Sequence, residues 1–298
     1  IVTSGTLDIN TAGTYVLSYD VADLSLNNAT TVTRTVNVVD TTVPVLSLTG
    51  ANPLNHEQGT AYIESGATAS DTVDGDISAS VVVTGSVDIN TAGSYTLTYN
   101  VSDVAGNAAV AITRDVIVAD TIAPTITLTG SATVNHEQGT AYADSGATAF
   151  DSFDGDVSLN IVMTGTVNTN IAGTYTLSYN VSDAAGNNAT TVTRDVIVAD
   201  TIAPIVTLIG SATINHEQGT AYTDAGASGF DSVDGDLTAS INVTGSVNVN
   251  VGGTYTLTYN LSDAAGNTAI TVTRDVIVAD TIIPAIILTG NAIVNHEQ

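Results

Sequence analysis

The sequence contains no cysteine, no tryptophan and no lysine, and only one methionine and five prolines in 298 residues. Without cysteine there is no disulfide framework, so whatever stiffens the chain is packing or a metal. Basic residues are almost as scarce. Four arginines, Arg34, Arg114, Arg194 and Arg274, face 30 acidic residues, for a net charge of -26. That balance excludes a nucleic-acid partner, because a phosphate backbone calls for clustered cations, and makes a cation the natural partner. With no lysine or cysteine nucleophile, and no serine in a recognisable nucleophile setting, the chain is not expected to be an enzyme. No run approaches the roughly 18–20 apolar residues of a membrane span, and no segment resembles a signal peptide. Helix signals are missing too. Sustained 3.6-residue spacing is absent, and Thr, Val and Gly dominate where Leu, Glu and Lys would stand.

What the sequence does contain is repetition. DTVDGD at 71–76 returns as DSFDGD at 151–156 and DSVDGD at 231–236, always 80 residues on. Asp40, Asp120, Asp200 and Asp280 fall at a second phase of the same period, and His56, His136, His216 and His296 at a third. Solenoid repeats run about 20–50 residues, whereas this period is near the size of a small sandwich domain. The expected units are therefore 41–120, 121–200 and 201–280, flanked by the C-terminal part of a copy at 1–40 and the N-terminal part of another at 281–298. Ile1 aligns with Val81, and the last NHEQ stops where GTAY follows at 59–62, so the chain reads as a window of a longer array.

Within one period the pattern is all-β. In GTYTLSYNVSD (173–183), Tyr175, Leu177, Tyr179 and Val181 alternate with Thr174, Thr176, Ser178 and Asn180, the period-two mark of a strand buried on one face. TITLTG, TVNHE, the segment around SGATAF, SLNIVMT and TVTRDVIVA are further strands, punctuated by Gly and Asn. An antiparallel β-sandwich of about seven strands follows. Its core takes Tyr175 and Tyr179, and Arg194 is expected at the edge of the core face, with its stem packed and its head paired to a carboxylate. Such a domain is roughly 35 Å long.

The acidic loop admits two readings. Asp-Gly is a strong hairpin signal, so DGD can be a tight turn. A turn leaves Asp151 and Asp156 without a role, and three carboxylates crowded into one loop repel unless a cation neutralises them. Oxygen ligands with no His or Cys favour calcium or magnesium, and a Gly-bearing loop suits the six to eight ligands of calcium better than the octahedron of magnesium. The loop is not an EF-hand, since its twelfth position from Asp151 is Val162 and no helices flank it. NHEQ suggests zinc at first sight. Adjacent strand residues point to opposite faces, however, and the nearest other histidine is a full period away, so the expectation is a strand-end hydrogen bond, a surface contact or a lateral contact between chains.

The fixed order DTIAP, TITLTG, GTAYADSGA, DSFDGD, GTYTLSYNVSDAAGN and TRDVIVAD resembles the bacterial Ig-like repeats of large surface and secreted adhesin-like proteins, a group similar to the hyalin-repeat domain. In the first partial copy DLSLNN replaces DAAGNN, so that Leu26 stands where Gly186 does. The resemblance implies tandem Ig-like sandwiches arranged end to end as a rod. It also implies that the loop joining the second and third strands, the loop joining the last two, and the incoming linker share one pole. For the copy at 121–200 these supply Asp151, Asp154 and Asp156, then Asp183 and Asn187, and the linker residue Asp120. The copy at 41–120 has Asp71, Asp74, Asp76, Asp103, Asn107 and Asp40. The copy at 201–280 has Asp231, Asp234, Asp236, Asp263, Asn267 and Asp200, and Asp280 opens the next. Between domains the linker is short, with Pro124 fixing φ, unlike a Gly/Ser spacer. Calcium at these junctions would stiffen them in a way similar to cadherin junctions, at the 10⁻⁴ to 10⁻³ M typical of extracellular modules. The expected function is an extracellular stalk or filament shaft of a bacterial surface adhesin, with calcium, neighbouring repeats and possible lateral copies as partners. The alternative is a multivalent module that binds a glycan or a cell-surface protein.

Overall fold

The computed structural model describes residues 1–290, 292–294 and 296; Asn295, Glu297 and Gln298 of the last NHEQ lie outside the described residues. The chain divides into two compact units. One comprises Ile1–Thr125, Ala149–Asn160 and Val181–Thr190, the other Ile126–Thr148, Ile161–Asn180 and Thr191–Gln298. The copy at 41–120 lies in the first and that at 201–280 in the second. The copy between them gives its acidic loop to the first and its four-stranded sheet to the second. Among the described residues no helix is long and apolar enough to cross a membrane.

The copy at 201–280 shows the architecture. Seven strands run in order Ile205–Leu208, Thr213–Glu217, Ala227–Asp231, Gly235–Asp236, Asn242–Thr244, Gly253–Asn260 and Val272–Ala279, with one short 3-10 turn at Thr238–Ser240. The first, third and fourth form one sheet; the second, seventh, sixth and fifth, in that spatial order, form the other. The sandwich is all-β as expected, with one addition. Thr213–Glu217 pairs in parallel with Val272–Ala279, Thr213 opposite Asp275 and Glu217 opposite Ala279. After Leu208 the chain turns through Gly210, which has a φ of 89°, and joins the opposite sheet beside the last strand. This early strand also makes the acidic loop follow the third strand of the domain, where the Ig resemblance placed it after the second.

Alternation decides the core. Along Val272–Ala279 the side chains of Arg274, Val276 and Val278 are buried, while Thr273 and Ile277 face out. Val206 and Ala227 from one sheet meet Leu257, Tyr259 and Leu261 from the other, with Leu208, Tyr222, Leu237 and Ile241 closing the rim. The copy at 41–120 repeats this with Leu97, Tyr99, Val116 and Val118. Tyr175 and Tyr255, only half-buried, donate their hydroxyls to Ile171 O (2.8 Å) and Val251 O (2.9 Å), the hydrogen bond of a tyrosine corner. In the first stretch, Val2–Ser4, Gly13–Asp20 and Val32–Val38 make a three-stranded antiparallel sheet. Its DLSLNN loop places Leu26 at a φ of 68°, and Asn27 still donates to Asp23.

One glycine per period, Gly5, Gly85, Gly165 or Gly245, is fixed by the packing of two strands. Gly165 has a φ of 100°, and a Cβ there would run into the Thr176 carbonyl oxygen. Gly165→Ala is expected to cost at least about 1 kcal/mol through backbone strain alone. Calorimetry should show the transition of that copy shifted down, and an unchanged transition would mean that the Val162–Thr164 edge gives way without cost.

Candidate metal centre

The site is built from the end of one strand. Along Ala147–Asp151 the inward positions are Ala147, Ala149 and Asp151, so strand parity carries a carboxylate into the domain, where it is 1% exposed. The chain then reverses through Asp154-Gly155, with Gly155 at a φ of 76°, so the Asp-Gly turn and the acidic cluster are one structure. Phe153 N–H (2.7 Å) and Asp154 N–H (3.0 Å) both donate to Asp151 Oδ1. Ala184 N–H donates to Asp154 Oδ2 at 2.7 Å. On the linker, Ile122 N–H donates to Asp120 Oδ1 at 3.2 Å. Backbone amides thus fix one oxygen of each carboxylate. Asp120 Oδ2 and Asp151 Oδ2 are buried and accept no hydrogen bond.

Three such clusters recur, each with its ligand atoms within 4.8 Å of one another: Asp40, Asp71, Asp74 and Asp103; Asp120, Asp151 and Asp154; Asp200, Asp231 and Asp234. The unpartnered oxygens recur with them, at Asp40 Oδ2, Asp71 Oδ2 and Asp231 Oδ2. Asp183 and Asp263 stand beside the second and third clusters. Burial pushes the Asp120 carboxyl above its ordinary range, against the Ile122 N–H and with help from Asp151, Asp183 and Glu57; burial does the same to Asp200, against the Ile202 N–H and with help from Asp231, Asp263 and Glu137. Asp71 is held low, first by the Val73 N–H. Only oxygen donors converge, and oxygens around one calcium, each about 2.3–2.6 Å from it, lie no more than about 5 Å apart, so the spacing fits a calcium ion.

The remaining residues named from sequence take other places. Asn107, Asn187 and Asn267 turn their amide nitrogens, not their oxygens, to the site. Asn187 Nδ2 donates to Asp183 Oδ2 (2.8 Å) and to the backbone oxygen of Asp120 (3.1 Å), tying loop to linker, and Asn107 and Asn267 do the same at Asp40 and Asp200. Asp76, Asp156 and Asp236 are exposed and stay outside the clusters. They accept the amides of Ser78, Ser158 and Thr238 at 2.9 Å, local bonds two residues along the chain. Three carboxylates in six residues therefore divide into two for the cluster and one for a local bond. Asp280 is exposed, accepts the Ile282 N–H at 3.2 Å, and joins no cluster among the described residues.

Two arrangements refine the sequence reading: the arginine is buried outright rather than at the edge of the core, and NHEQ holds both its strand end and the linker. Arg114, Arg194 and Arg274, each third in its last strand, are wholly buried, and each pairs with a carboxylate 50 residues earlier: Arg114 with Glu64, Arg194 with Asp144 and Arg274 with Asp224. The acidic sixth residue of GTAYIE, GTAYAD and GTAYTD is the available signal, but nothing in the pattern says that it faces inward. NHEQ divides its side chains. His136 Nε2 lies 3.1 Å from Thr140 O with its ring edge-on to Tyr142, Glu137 accepts from the linker residue Thr201, and Gln138 donates to Asn170 O at 3.1 Å.

Seven-stranded sandwiches in tandem, each entered through a short linker beside an acidic pole, define a class of repeat protein. The family model for the bacterial surface protein, Ig-like domain, matches residues 1–38, 46–118, 126–198 and 206–278, and the chain belongs to that family. It is 32% identical over 211 residues, 66% of this chain, to an uncharacterized 81.3 kDa protein of Acholeplasma phage L2, and spans 28% of the length of that relative. Similar solved structures include the I-band fragment I67–I69 of titin, 12% identical over 79% of this chain and 98% of that one, TM-score 0.25. The sialic acid binding region of the Streptococcus sanguinis SK1 adhesin is 14% identical over 81% and 79%, TM-score 0.21. Drosophila N-cadherin EC1-4 is 12% identical over 92% and 86%, TM-score 0.24.

Proposed function

We propose that these repeats are the stalk or filament shaft of a bacterial surface adhesin, and that a calcium ion at each junction fixes one sandwich against the next. The observation that carries this reading is the buried, unpartnered carboxylate oxygen on both sides of a junction. At the second cluster Asp120 Oδ2 belongs to the linker and Asp151 Oδ2 to the following domain. Two desolvated carboxylates facing one another are costly unless a cation joins them. A cation that joins them restricts bending at the linker and replaces repulsion by attraction. At the 10⁻⁴ to 10⁻³ M affinities of extracellular modules the ions would fill outside the cell and be absent from the cytosol, which accords with a family of surface proteins.

The test is small-angle scattering of the full chain in millimolar calcium and in chelator. The expected result is a maximum dimension that is longer and more sharply defined in calcium. Identical profiles in the two conditions would overturn calcium stiffening.

A further inference from the structure

NHEQ recurs at 55–58, 135–138, 215–218 and 295–298, and the three acidic clusters among the described residues use none of it. The register of the sandwich explains where its glutamate goes. Thr133–Glu137 runs parallel to Val192–Ala199, so Glu137 stands opposite Ala199 at the point where the partner strand leaves the sheet and becomes the linker. Gln138 N–H donates to Ala199 O at 2.9 Å and closes the ladder. The Glu137 carboxylate then accepts both Thr201 N–H, at 3.1 Å, and Thr201 Oγ1–H. Thr201 directly follows Asp200, the linker carboxylate of the third cluster. The same bonds join Glu57 to Thr121, at 3.0 Å to the amide, beside Asp120, and Glu217 to Thr281 beside Asp280.

We propose that Glu57 and Glu137 are positioning residues for the cation sites at Asp120 and Asp200: each preceding domain clamps the linker so that its carboxylate is aimed before the ion arrives. This deepens the calcium reading and rests on it. The linker is held from its other side by Asn267 Nδ2, which donates to Asp200 O at 3.2 Å. The backbone around Asp200 is therefore gripped by both domains, the preceding one through a carboxylate and the following one through an amide. A parallel strand pair is what makes the first grip reachable. An antiparallel partner would have carried its last side chain away from the departing linker. Glu137 is not one of the clustered carboxylates, though its charge adds to those that raise the Asp200 carboxyl; it holds the linker through Thr201, with two charge-assisted bonds that are stronger than neutral ones.

Hydrogen–deuterium exchange of the full chain, read by mass spectrometry in chelator and across a calcium titration, tests the clamp at one junction. For Glu137→Ala, exchange of peptides spanning 200–204 in chelator is expected to rise about tenfold, and the calcium midpoint for protection of the 231–236 loop to weaken by about tenfold. The junctions at Asp40 and Asp120 serve as internal controls and stay at their wild-type midpoints. Thr201→Val, which removes only the hydroxyl, should shift both readouts less, and Thr201→Ser should restore them. A calcium midpoint unchanged in Glu137→Ala overturns the positioning role, whether or not exchange rises. A wild-type chain whose loops gain no protection from calcium overturns the stalk reading itself and the clamp with it.

Discussion

Asp144→Asn is expected to cost the copy at 121–200 about 3–5 kcal/mol, the penalty of leaving a buried guanidinium without its counter-ion. The Arg194 side chain is 1% exposed, and its head is satisfied in every direction. Nη1 meets Asp144, Nη2 donates to Thr129 O (2.5 Å) and Gly146 O (3.2 Å), Nε donates to Ser131 O (2.9 Å), and the Tyr179 ring lies 5.8 Å away. Asp144 in turn accepts Tyr142 OH at 3.1 Å, Tyr179 OH at 2.6 Å and Gly146 N–H at 2.8 Å. In a domain this small the loss corresponds to at least about 12 °C in melting temperature. Differential scanning calorimetry should show one transition displaced and the others in place. A displacement of under about 2 °C would mean that the carbonyls alone neutralise the arginine. Replacing the pair together, Arg194→Met with Asp144→Leu, should cost less than Asp144→Asn, because no bare charge remains.

The same cluster sets both limits of a pH-stability curve. Burial raises the Asp144 and Asp224 carboxyls, but the bonds from tyrosine and arginine outweigh it and hold both below the ordinary 3.8. A depressed carboxylate contributes stability that is complete above its unfolded value and is lost as pH falls through the folded one, so acid unfolding belongs below that range. Burial, then the bond to the neighbouring carboxylate, pushes Tyr179 and Tyr259 from 10.0 up to about 12. A raised phenol stabilises fully below its unfolded value, and that contribution fades as pH climbs from about 10 to about 12. Thermal melts in chelator should therefore be flat near neutrality and fall off at both ends. Tyr179→Phe should flatten part of the alkaline arm.

Legibility followed periodicity. Strand type came from alternation in GTYTLSYN and TVTRDVIVA, because a half-buried strand writes its two faces into successive residues. The cluster membership of Asp151 and Asp154 came from charge crowding, which needs no knowledge of the fold. What stayed hidden were relations between distant segments. A parallel register such as Thr133 opposite Asp195 leaves no trace in local pattern, so the route of Glu137 to Thr201 was invisible. Arg194 was placed against the core with a carboxylate, but Asp144 could not be picked out among 30 acidic residues. Composition counts carboxylates and says nothing of direction, so it cannot separate Asp156, whose oxygen turns back to Ser158, from Asp151 and Asp154. The resemblance puts Asn187 at the pole but does not say which end of its amide turns inward; its nitrogen donates to Asp183 and to the Asp120 backbone.

Asp151→Asn should change stability in opposite directions with and without calcium. The amide oxygen can still accept the Phe153 and Asp154 amides, as Asp151 Oδ1 does, so the turn survives. At the second position a buried oxygen with no donor becomes an NH₂ that can donate toward the Asp120 carboxylate. In chelator the variant loses a like-charge repulsion and gains a hydrogen bond, and it is expected to be about 1 kcal/mol more stable than wild type. In calcium it lacks a charged ligand, and its calcium midpoint at this junction should weaken by at least about tenfold. Melting curves of the two proteins should therefore cross as calcium is raised, while the clusters at Asp71 and Asp231 continue to respond. If the variant is less stable than wild type in chelator as well, Asp151 is a structural cap of the turn and the cation assignment loses its central residue. A crossing cannot arise from a cap alone, since a cap contributes equally with and without the ion; it requires a carboxylate whose second oxygen is stabilising only when a cation is beside it.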